Sequence, residues 1–225
     1  MSITIAIDGP SGAGKSTIAK EVAQRIGFTY VDTGAIYRAI GLFAFRHGVE
    51  PTDEAAVLAL LPQIELAITL EPDGQHIFLG DEDVSGEIRR HEMSHYASAV
   101  SAIAKVREFL LDTQRRFAAA HNCIMDGRDI GTVVLPNADL KIFLTAHPED
   151  RARRRQMQLA EKGITMPYEQ VLRDLLERDE RDSTREAAPL RQAPDAVLLD
   201  TTGNTKAQSV NLVEKLIREK LADVL

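Results

Sequence analysis

The chain has 225 residues, of which 44% are hydrophobic and 27% are charged, and its formal net charge at pH 7 is −7. This size and composition are typical of a globular protein with one well-buried core and at most a small inserted unit. The negative charge argues against a general nucleic-acid or membrane-surface binder. Cys123 is the single cysteine, which excludes an intrachain disulfide and a cysteine-based zinc site.

Other composition features concern compartment and metal content. The six histidines are scattered, without a spacing such as H-E-x-x-H that binds a metal ion. No apolar run approaches the length that spans a bilayer, and the first residues enter a strand at once, which leaves no room for a signal peptide. We therefore expect a cytoplasmic protein without structural metal, in which Cys123 is a small buried hydrophobic residue. We also expect a monomer, although the sequence itself leaves the oligomeric state open.

The first predicted strand, residues 3–8, leads into a motif that fits G-x-x-x-x-G-K-S/T in full. The motif consists of Gly9, Pro10, Ser11, Gly12, Ala13, Gly14, Lys15 and Ser16, and Thr17 follows it. A helical pattern over 15–26 comes next and ends at Gly27. A strand before and a helix after are the context of a phosphate-binding loop (P-loop) and argue against a chance glycine-rich turn.

Each residue type in this loop suits a triphosphate. The glycines let backbone N–H groups turn toward the phosphates, and the helix behind them adds unpaired N–H groups and its positive dipole end. Lys15 can reach the β- and γ-phosphates, and the Ser16 hydroxyl can ligate Mg²⁺. The loop predicts binding of a nucleoside triphosphate, as in kinases, switches and motors alike.

Strands and helices alternate along most of the remaining chain. Further strands are predicted at 28–32, 123–126, 140–145 and 197–200, and further helices at 35–46, 105–120, 148–161, 167–179 and 205–221. Apolar strands that alternate with helices are typical of parallel strands buried on both faces. The pattern predicts an α/β fold with a doubly wound parallel sheet.

One stretch, roughly residues 60–90, departs from this alternation. It contains strand-like segments at 64–70, at 76–79 and near 83–84, with a turn predicted at 72–74. Short strands joined by such a turn are typical of antiparallel pairing. We expect a small antiparallel unit inserted into the α/β domain.

Two polar segments follow predicted strand ends, where open α/β sheets bind ligands. In the first, DTGAIYR, Arg38 lies one turn beyond Gly34 and could grip a second phosphate, although a capped helix with a surface arginine fits equally well. In the second, DGRD, Asp126 suits water-mediated contact with Mg²⁺, and Arg128 and Asp129 would project into the same crevice. A plain charged turn is the alternative there, and the position at a strand end favours function.

Two arginine clusters come later in the chain. One comprises Arg151, Arg153, Arg154 and Arg155, and the other comprises Arg178, Arg181 and Arg185 with Asp182 at a compatible spacing. The second cluster would share one helical face if the helix continued that far. Charge clusters are usually solvated faces, but phosphoryl transfer needs cations around the moving group and a lid that excludes water.

Taken together, these segments resemble the bacterial cytidylate kinases, a family of nucleoside monophosphate kinases. The matching pieces are IDGPSGAGKS, DTGAIYR, GDEDVSGEIR, KVRE, DGRDIGTVV and ERDERD with APL after it, from residue 7 to about 190. The resemblance implies a single P-loop kinase domain over 1–225, with a monophosphate-binding insert at about 60–90 and a helical lid at about 148–165. It implies phosphoryl transfer from ATP, with Mg²⁺, to CMP or dCMP.

The resemblance also implies residue roles. Residues 9–17 would bind ATP, with Mg²⁺ at Ser16 and, through water, at Asp126. The catalytic residues would be Lys15, Arg128, Arg154 and Arg155. The acceptor phosphate would be held by Arg38, Arg128 and Arg185, and cytosine by Ser98, Arg107 and Asp129. Arg178 and Asp182 would contact the sugar and its surroundings, Thr33 would lie next to the sugar, and Tyr37 would also bind CMP. Thr33 stands where many members carry Ser, so the preference for deoxyribose stays open.

Three alternative functions fit parts of the same sequence. Another small-substrate P-loop kinase, for UMP, dephospho-coenzyme A or shikimate, is disfavoured if Arg107 and Asp129 read a base. A nucleotide-dependent switch would carry a guanine motif such as N-K-x-D, which does not occur. A polynucleotide-end kinase, and nucleic-acid or membrane partners generally, are disfavoured by the net charge of −7.

Overall fold

The structure is a computed structural model and describes residues 2–71, 74–161, 163–222 and 224. The chain divides into two compact units: residues 1–29 with 118–225 form the larger unit, and residues 30–117 form the smaller unit. Of the turn predicted at 72–74, Pro72 and Asp73 lie outside the described residues. Within the described ranges, no helix combines the length and hydrophobicity that crossing a membrane requires.

The elements alternate along the chain much as the sequence predicts. The strands are β1 (Thr4–Asp8), β2 (Thr29–Asp32), β3 (Leu66–Glu71), β4 (Gly74–Leu79), β5 (Glu82–Asp83), β6 (Cys123–Gly127), β7 (Leu140–Thr145) and β8 (Val197–Asp200). The helices are α1 (Lys15–Ile26), α2 (Thr33–Arg46), α3 (Glu54–Leu60), α4 (Met93–Val100), α5 (Ala104–Ala120), α6 (Pro148–Glu161), α7 (Tyr168–Thr184) and α8 (Lys206–Lys220). Short 3₁₀ turns occur at Leu61–Gln63 and Glu87–Arg89, and a π-helical turn occurs at Ile130–Val134.

The larger sheet has five strands in the order β2-β6-β1-β7-β8. Its central strand β1 runs parallel to β6 and to β7, and Ile5, Ala6 and Ile7 are fully buried, as expected for a strand covered on both faces. The register pairs Asp8 with Gly127. The carboxyl ends of β1 and β6 therefore lie at one edge, where the P-loop and the DGRD segment meet. This arrangement confirms the predicted doubly wound α/β fold.

Two helices of the larger unit, α1 and α7, carry several residues of the predicted site. α1 starts directly after Gly14 and ends directly before Gly27, at the predicted bounds. α7 was predicted to end at 179 but continues to Thr184. Arg178 and Asp182 consequently lie one turn apart on α7, and Arg185 follows its last residue.

The smaller unit contains a three-stranded antiparallel sheet in the order β3-β4-β5. The sheet confirms the predicted antiparallel pairing between residues 60 and 90. Its buried residue Ile77 joins a core that also contains Ile36 and Ile40 of α2, Met93 of α4 and Leu110 of α5. α3 and α4 were not predicted. Both contribute to this core, so the smaller unit has its own hydrophobic centre.

Candidate active site

The P-loop runs from the end of β1 to the first turn of α1. Gly9 has a φ of 149°, and an ideal Cβ on it would lie 2.0 Å from the carbonyl oxygen of Leu144 in β7. Any side chain at this position would therefore collide with the neighbouring strand. Ala13 is fully buried. The loop is thus packed against the sheet and presents main-chain groups, with the N-terminus of α1 behind them.

Lys15 is buried, and its Nζ donates to the carbonyl oxygen of Pro10 at 2.8 Å. Burial lowers the pKa of Lys15, and the nearby Arg128 guanidinium lowers it further. Asp126 and Asp8 act in the opposite direction. A polyphosphate in this loop would add negative charge beside the ammonium group and so favour its protonated form.

Ser16 and Asp126 supply two oxygen atoms that could share one cation. The Ser16 hydroxyl donates to Asp126 Oδ2 at 2.8 Å, and Asp126 is only 4% exposed. Hydroxyl and carboxylate oxygens are ligands that Mg²⁺ accepts, usually together with waters and substrate phosphates. The described residues contain no group of three or more His, Cys, Asp or Glu side chains arranged for a metal ion. The donor set thus fits a nucleotide-borne Mg²⁺ rather than an all-protein cage.

A largely buried group of arginines and carboxylates lies in the larger unit, between the end of β6 and α7. Arg128 Nε donates to Asp182 at 2.9 Å. Arg185 lies 3.5 Å from Asp129 and 3.9 Å from Asp182, and Arg178 lies 4.0 Å from Asp182. All five residues were predicted to bind the acceptor, and the fold brings them together.

Electrostatics explain why this group is charged despite its burial. Burial alone would raise the pKa of Asp182, but the charges of Arg128, Arg178 and Arg185 outweigh it and hold that pKa below its ordinary value. Burial likewise opposes the charged form of Arg128, and the Asp182 carboxylate reverses the effect and raises the pKa of Arg128. Arg128 is therefore cationic and oriented by its hydrogen bond to Asp182, and the same carboxylate is a counter-charge for Arg178 and Arg185.

Asp8, at the end of β1, was missed by the sequence analysis. Its two carboxylate oxygens accept hydrogen bonds from the backbone N–H groups of Ile130 and Gly131, at 2.8 and 2.7 Å. These residues follow Asp129 directly and begin the π-helical turn. Burial raises the pKa of Asp8 to about 6, although the two N–H groups act against that rise. Asp8 thus ties the strand that carries the P-loop to the segment that carries Asp129.

The arginines of α6 differ from one another in their surroundings. Arg154 lies beside the P-loop, because an ideal Cβ on Gly14 would be 4.0 Å from its Nη1. It donates to Asp150 and to the carbonyl oxygen of Thr201, both at 2.6 Å. Arg155 is partly buried, and burial lowers its pKa; an anion nearby would stabilise its charged form. Arg153 is exposed.

In the smaller unit, Asp32 caps α2 and holds Arg38. One carboxylate oxygen of Asp32 accepts from the Ala35 N–H at 2.9 Å, and the other pairs with Arg38 at 2.7 Å. Gln75 of β4 binds the main chain of Asp32, accepting from its N–H at 2.7 Å and donating to its carbonyl at 3.3 Å. Thr33, the first residue of α2, is buried. Gln75 thus attaches the antiparallel sheet to the start of α2, a role that no sequence motif indicates.

The remaining predicted acceptor residues also lie in the smaller unit. The Arg107 guanidinium stands 5.3 Å from the ring centre of Tyr37 and donates to the Ser101 carbonyl at 3.1 Å. Ser98 is buried, and its carbonyl oxygen accepts from the Ser101 hydroxyl at 3.0 Å. Arg107 therefore contacts Tyr37 through a cation–π interaction and is connected to Ser98 through hydrogen bonds at Ser101.

Known proteins with similar sequences identify the family. The family model for cytidylate kinase matches residues 5–219. The chain is 48% identical over 218 residues to the cytidylate kinase of Exiguobacterium sp., with 97% of each chain covered. It is 46% identical over 225 residues to that of Streptococcus suis, covering 100% of this chain and 98% of the relative.

A solved structure of an uncharacterized protein from Eubacterium ventriosum has a TM-score of 0.54 to this chain at 12% identity, covering 97% of this chain and 99% of the other. At that identity the likeness supports the fold alone. The family is established by the sequence matches, which span nearly the whole length. The chain belongs to the cytidylate kinase family.

Proposed function

We propose that the chain transfers the γ-phosphoryl group of ATP to CMP or dCMP and so produces ADP and CDP or dCDP. The observation that carries the proposal is the buried group of Arg128, Asp182 and Arg185 at the strand edge that also holds the P-loop. Preorganised cations next to a triphosphate loop are what phosphoryl transfer requires. Membership of the cytidylate kinase family supports CMP as the acceptor.

The chemistry needs no side-chain nucleophile. An oxygen of the CMP phosphate attacks the γ-phosphorus while the bond to the β–γ bridging oxygen breaks, and ADP leaves. Lys15, Arg128, Arg154 and Arg155 would neutralise the charge that spreads over the transferred group. Ser16 and, through water, Asp126 would hold the Mg²⁺ that accompanies ATP, which would supply further neutralisation of the phosphate oxygens.

The acceptor would be bound by ten residues in three roles. Arg38, Arg128 and Arg185 would hold its phosphate, since guanidinium groups match phosphate oxygens bidentately. Asp129 would accept from the exocyclic amine of cytosine, and Arg107 with Ser98 would reach its O2 and N3 acceptors. The sugar and its surroundings would contact Thr33, Tyr37, Arg178 and Asp182.

The proposal includes the organisation of the chain. Residues 60–90 would serve as the monophosphate-binding insert and residues 148–165 as the lid of a single kinase domain. We further propose a cytoplasmic monomer without a nucleic-acid partner, supported by the net charge of −7. Light scattering coupled to gel filtration tests the monomer directly.

A coupled ADP-release assay across CMP, dCMP, UMP and AMP tests the function. CMP and dCMP should be the best acceptors, because a site that reads the cytosine amine leaves its carboxylate unpaired with uracil. Lys15→Ala should lower kcat on the order of 10²-fold or more with every acceptor, because it removes a charge at the β/γ-phosphates. A faster reaction with AMP or UMP, or a Lys15→Ala enzyme of wild-type rate, would refute the proposal.

A further inference from the structure

Two side chains, Asp179 and Arg151, hold the main chain of the P-loop at Ser11. Asp179 has no role among those proposed above, and Arg151 was placed only within the lid segment, without a contact of its own. Asp179 on α7 accepts a hydrogen bond from the Ser11 N–H at 2.9 Å. Arg151 on α6 donates to the Ser11 carbonyl oxygen at 2.8 Å and also pairs with Asp179. Both polar main-chain groups of one P-loop residue are thus bound by side chains distant in sequence.

Arg151 is a buried residue rather than a surface residue. It is 5% exposed, and its Nε donates to the carbonyl oxygen of Ala146, just beyond β7, at 2.8 Å. Its guanidinium therefore bridges the sheet edge, the P-loop and α7. A buried guanidinium with a carboxylate and two carbonyl partners is held in one geometry.

The next P-loop residue packs against the same two helices. Gly12 has a φ of 72°, and an ideal Cβ on it would lie 3.1 Å from Leu175 Cδ1 and 3.2 Å from the Arg151 carbonyl oxygen. A Cβ here would press against both neighbours, and the positive φ favours glycine. The close approach adds van der Waals packing to the hydrogen bonds at Ser11. The middle of the P-loop, Ser11 and Gly12, is therefore held in place by contacts with α6 and α7.

We infer that Asp179 and Arg151 are positioning residues that hold the P-loop in the conformation that binds the ATP phosphates. They act through the main chain of Ser11 and need no contact with the nucleotide. Backbone N–H groups stabilise a phosphate best when they are oriented before it binds, because no reorganisation is then required. The ion pair of Asp179 and Arg151, called the clamp below, meets that requirement because it fixes the main chain of Ser11 before a nucleotide binds.

Asp179→Asn tests the clamp, and Asp174→Asn is the matched control. Asp174 lies on the same helix and is exposed, and within the described part of the chain its side chain bonds only with Gln170 of that helix. Asp179→Asn should raise the dissociation constant for ADP and the KM for ATP about tenfold, since it weakens charge-assisted hydrogen bonds. The KM for CMP should change much less, because Asp182 and Arg178 of α7 are intact. Asp174→Asn should match the wild type throughout.

Arg151→Lys provides a second variant that keeps the positive charge but loses the planar fork that reaches Ser11 and Ala146. It should show the same split between ATP and CMP, and it carries the test if Asp179→Asn does not fold. The double variant should bind ADP no more weakly than the more impaired of the two single variants, because both substitutions act on the same loop. Unchanged ADP affinity in Arg151→Lys, or equal rises of KM for ATP and CMP, would overturn the inference.

The inference depends on the proposed function only for the identity of the nucleotide. Wild-type protein that fails to phosphorylate CMP would refute that function. ADP binding, measured by calorimetry without CMP, would still report on the clamp.

Discussion

Two arginine–carboxylate pairs, one in each unit, differ in length and in exposure to solvent. Arg38 and Asp32 of the smaller unit are 2.7 Å apart, with side chains 23% and 24% exposed. Arg128 and Asp182 of the larger unit are farther apart, at 2.9 Å, but their side chains are 18% and 5% exposed. Solvent screens the first pair more than the second. Removing one partner is most costly where the other charge remains buried.

The comparison predicts the largest loss of stability for Asp182→Asn. The change keeps the side-chain volume but leaves Arg128, Arg178 and Arg185 without their shared counter-charge. We expect a loss of about 3 kcal/mol in the free energy of unfolding, at the lower end for a broken buried pair because Arg128 keeps some solvent contact. Urea denaturation without nucleotide measures it, with the exposed Asp174→Asn variant as the control. A loss below about 1 kcal/mol would place this pair among screened surface pairs.

The contribution of Asp8, another buried carboxylate of the larger unit, to stability should change with pH in the direction opposite to that of Asp182. Asp182 has cationic partners and a lowered pKa, so its stabilising contribution is lost as pH falls. Asp8 has two N–H partners, and burial raises its pKa from 3.8 to about 6. Its folded form binds the proton more tightly than the unfolded chain does, so its contribution is greatest below pH 4 and declines as pH rises through about 6.

The test compares wild type with Asp8→Asn, which does not titrate at this position. The free energy of unfolding of the wild type minus that of Asp8→Asn should fall by about 2 kcal/mol from pH 4 to pH 7, a value set by the size of the pKa shift. Denaturation without nucleotide and Mg²⁺ at several pH values measures it. A difference that stays constant or grows with pH would mean that Asp8 is already ionised at pH 4.

The sequence predicts those parts of the molecule whose cause is local. The bounds of α1 follow from Gly14 and Gly27, and Cys123 is fully buried, where burial raises the pKa of its thiol to about 12. α3 carries a local signal that was overlooked, since Asp53 accepts from the Ala56 N–H at its start. α4 lacks a side-chain cap and depends on packing, because an ideal Cβ on Gly41 of α2 would lie 2.7 Å from Tyr96 Cβ.

Long-range contacts explain the site residues that the sequence analysis missed. Asp8 binds N–H groups 122 and 123 residues away, and Asp179 binds one 168 residues away. Gln75 reaches Asp32 across 43 residues. No periodicity or motif links such partners. The P-loop and the DGRD segment were identifiable because each places its chemistry within a few residues at a strand end.

The smaller unit should respond to Arg38→Gln with the smallest loss of stability but a clear loss of acceptor binding. Its pair with Asp32 is partly screened, so the free energy of unfolding should fall by less than about 1 kcal/mol. Among the described residues, the Nε of Arg38 is buried without a hydrogen-bond partner, which leaves a donor for a phosphate oxygen. The KM for CMP should therefore rise about tenfold, as expected for a lost charge-assisted hydrogen bond.

Arg46→Gln is the matched control, because Arg46 lies at the other end of α2 and pairs with Glu82 and Glu87. It should cost a similar small amount of stability and leave the KM for CMP unchanged. If Arg38→Gln instead destabilised the protein as much as Asp182→Asn, exposure would not be what separates the two pairs. If the KM for CMP did not move, Arg38 would serve only to pair with the cap of α2.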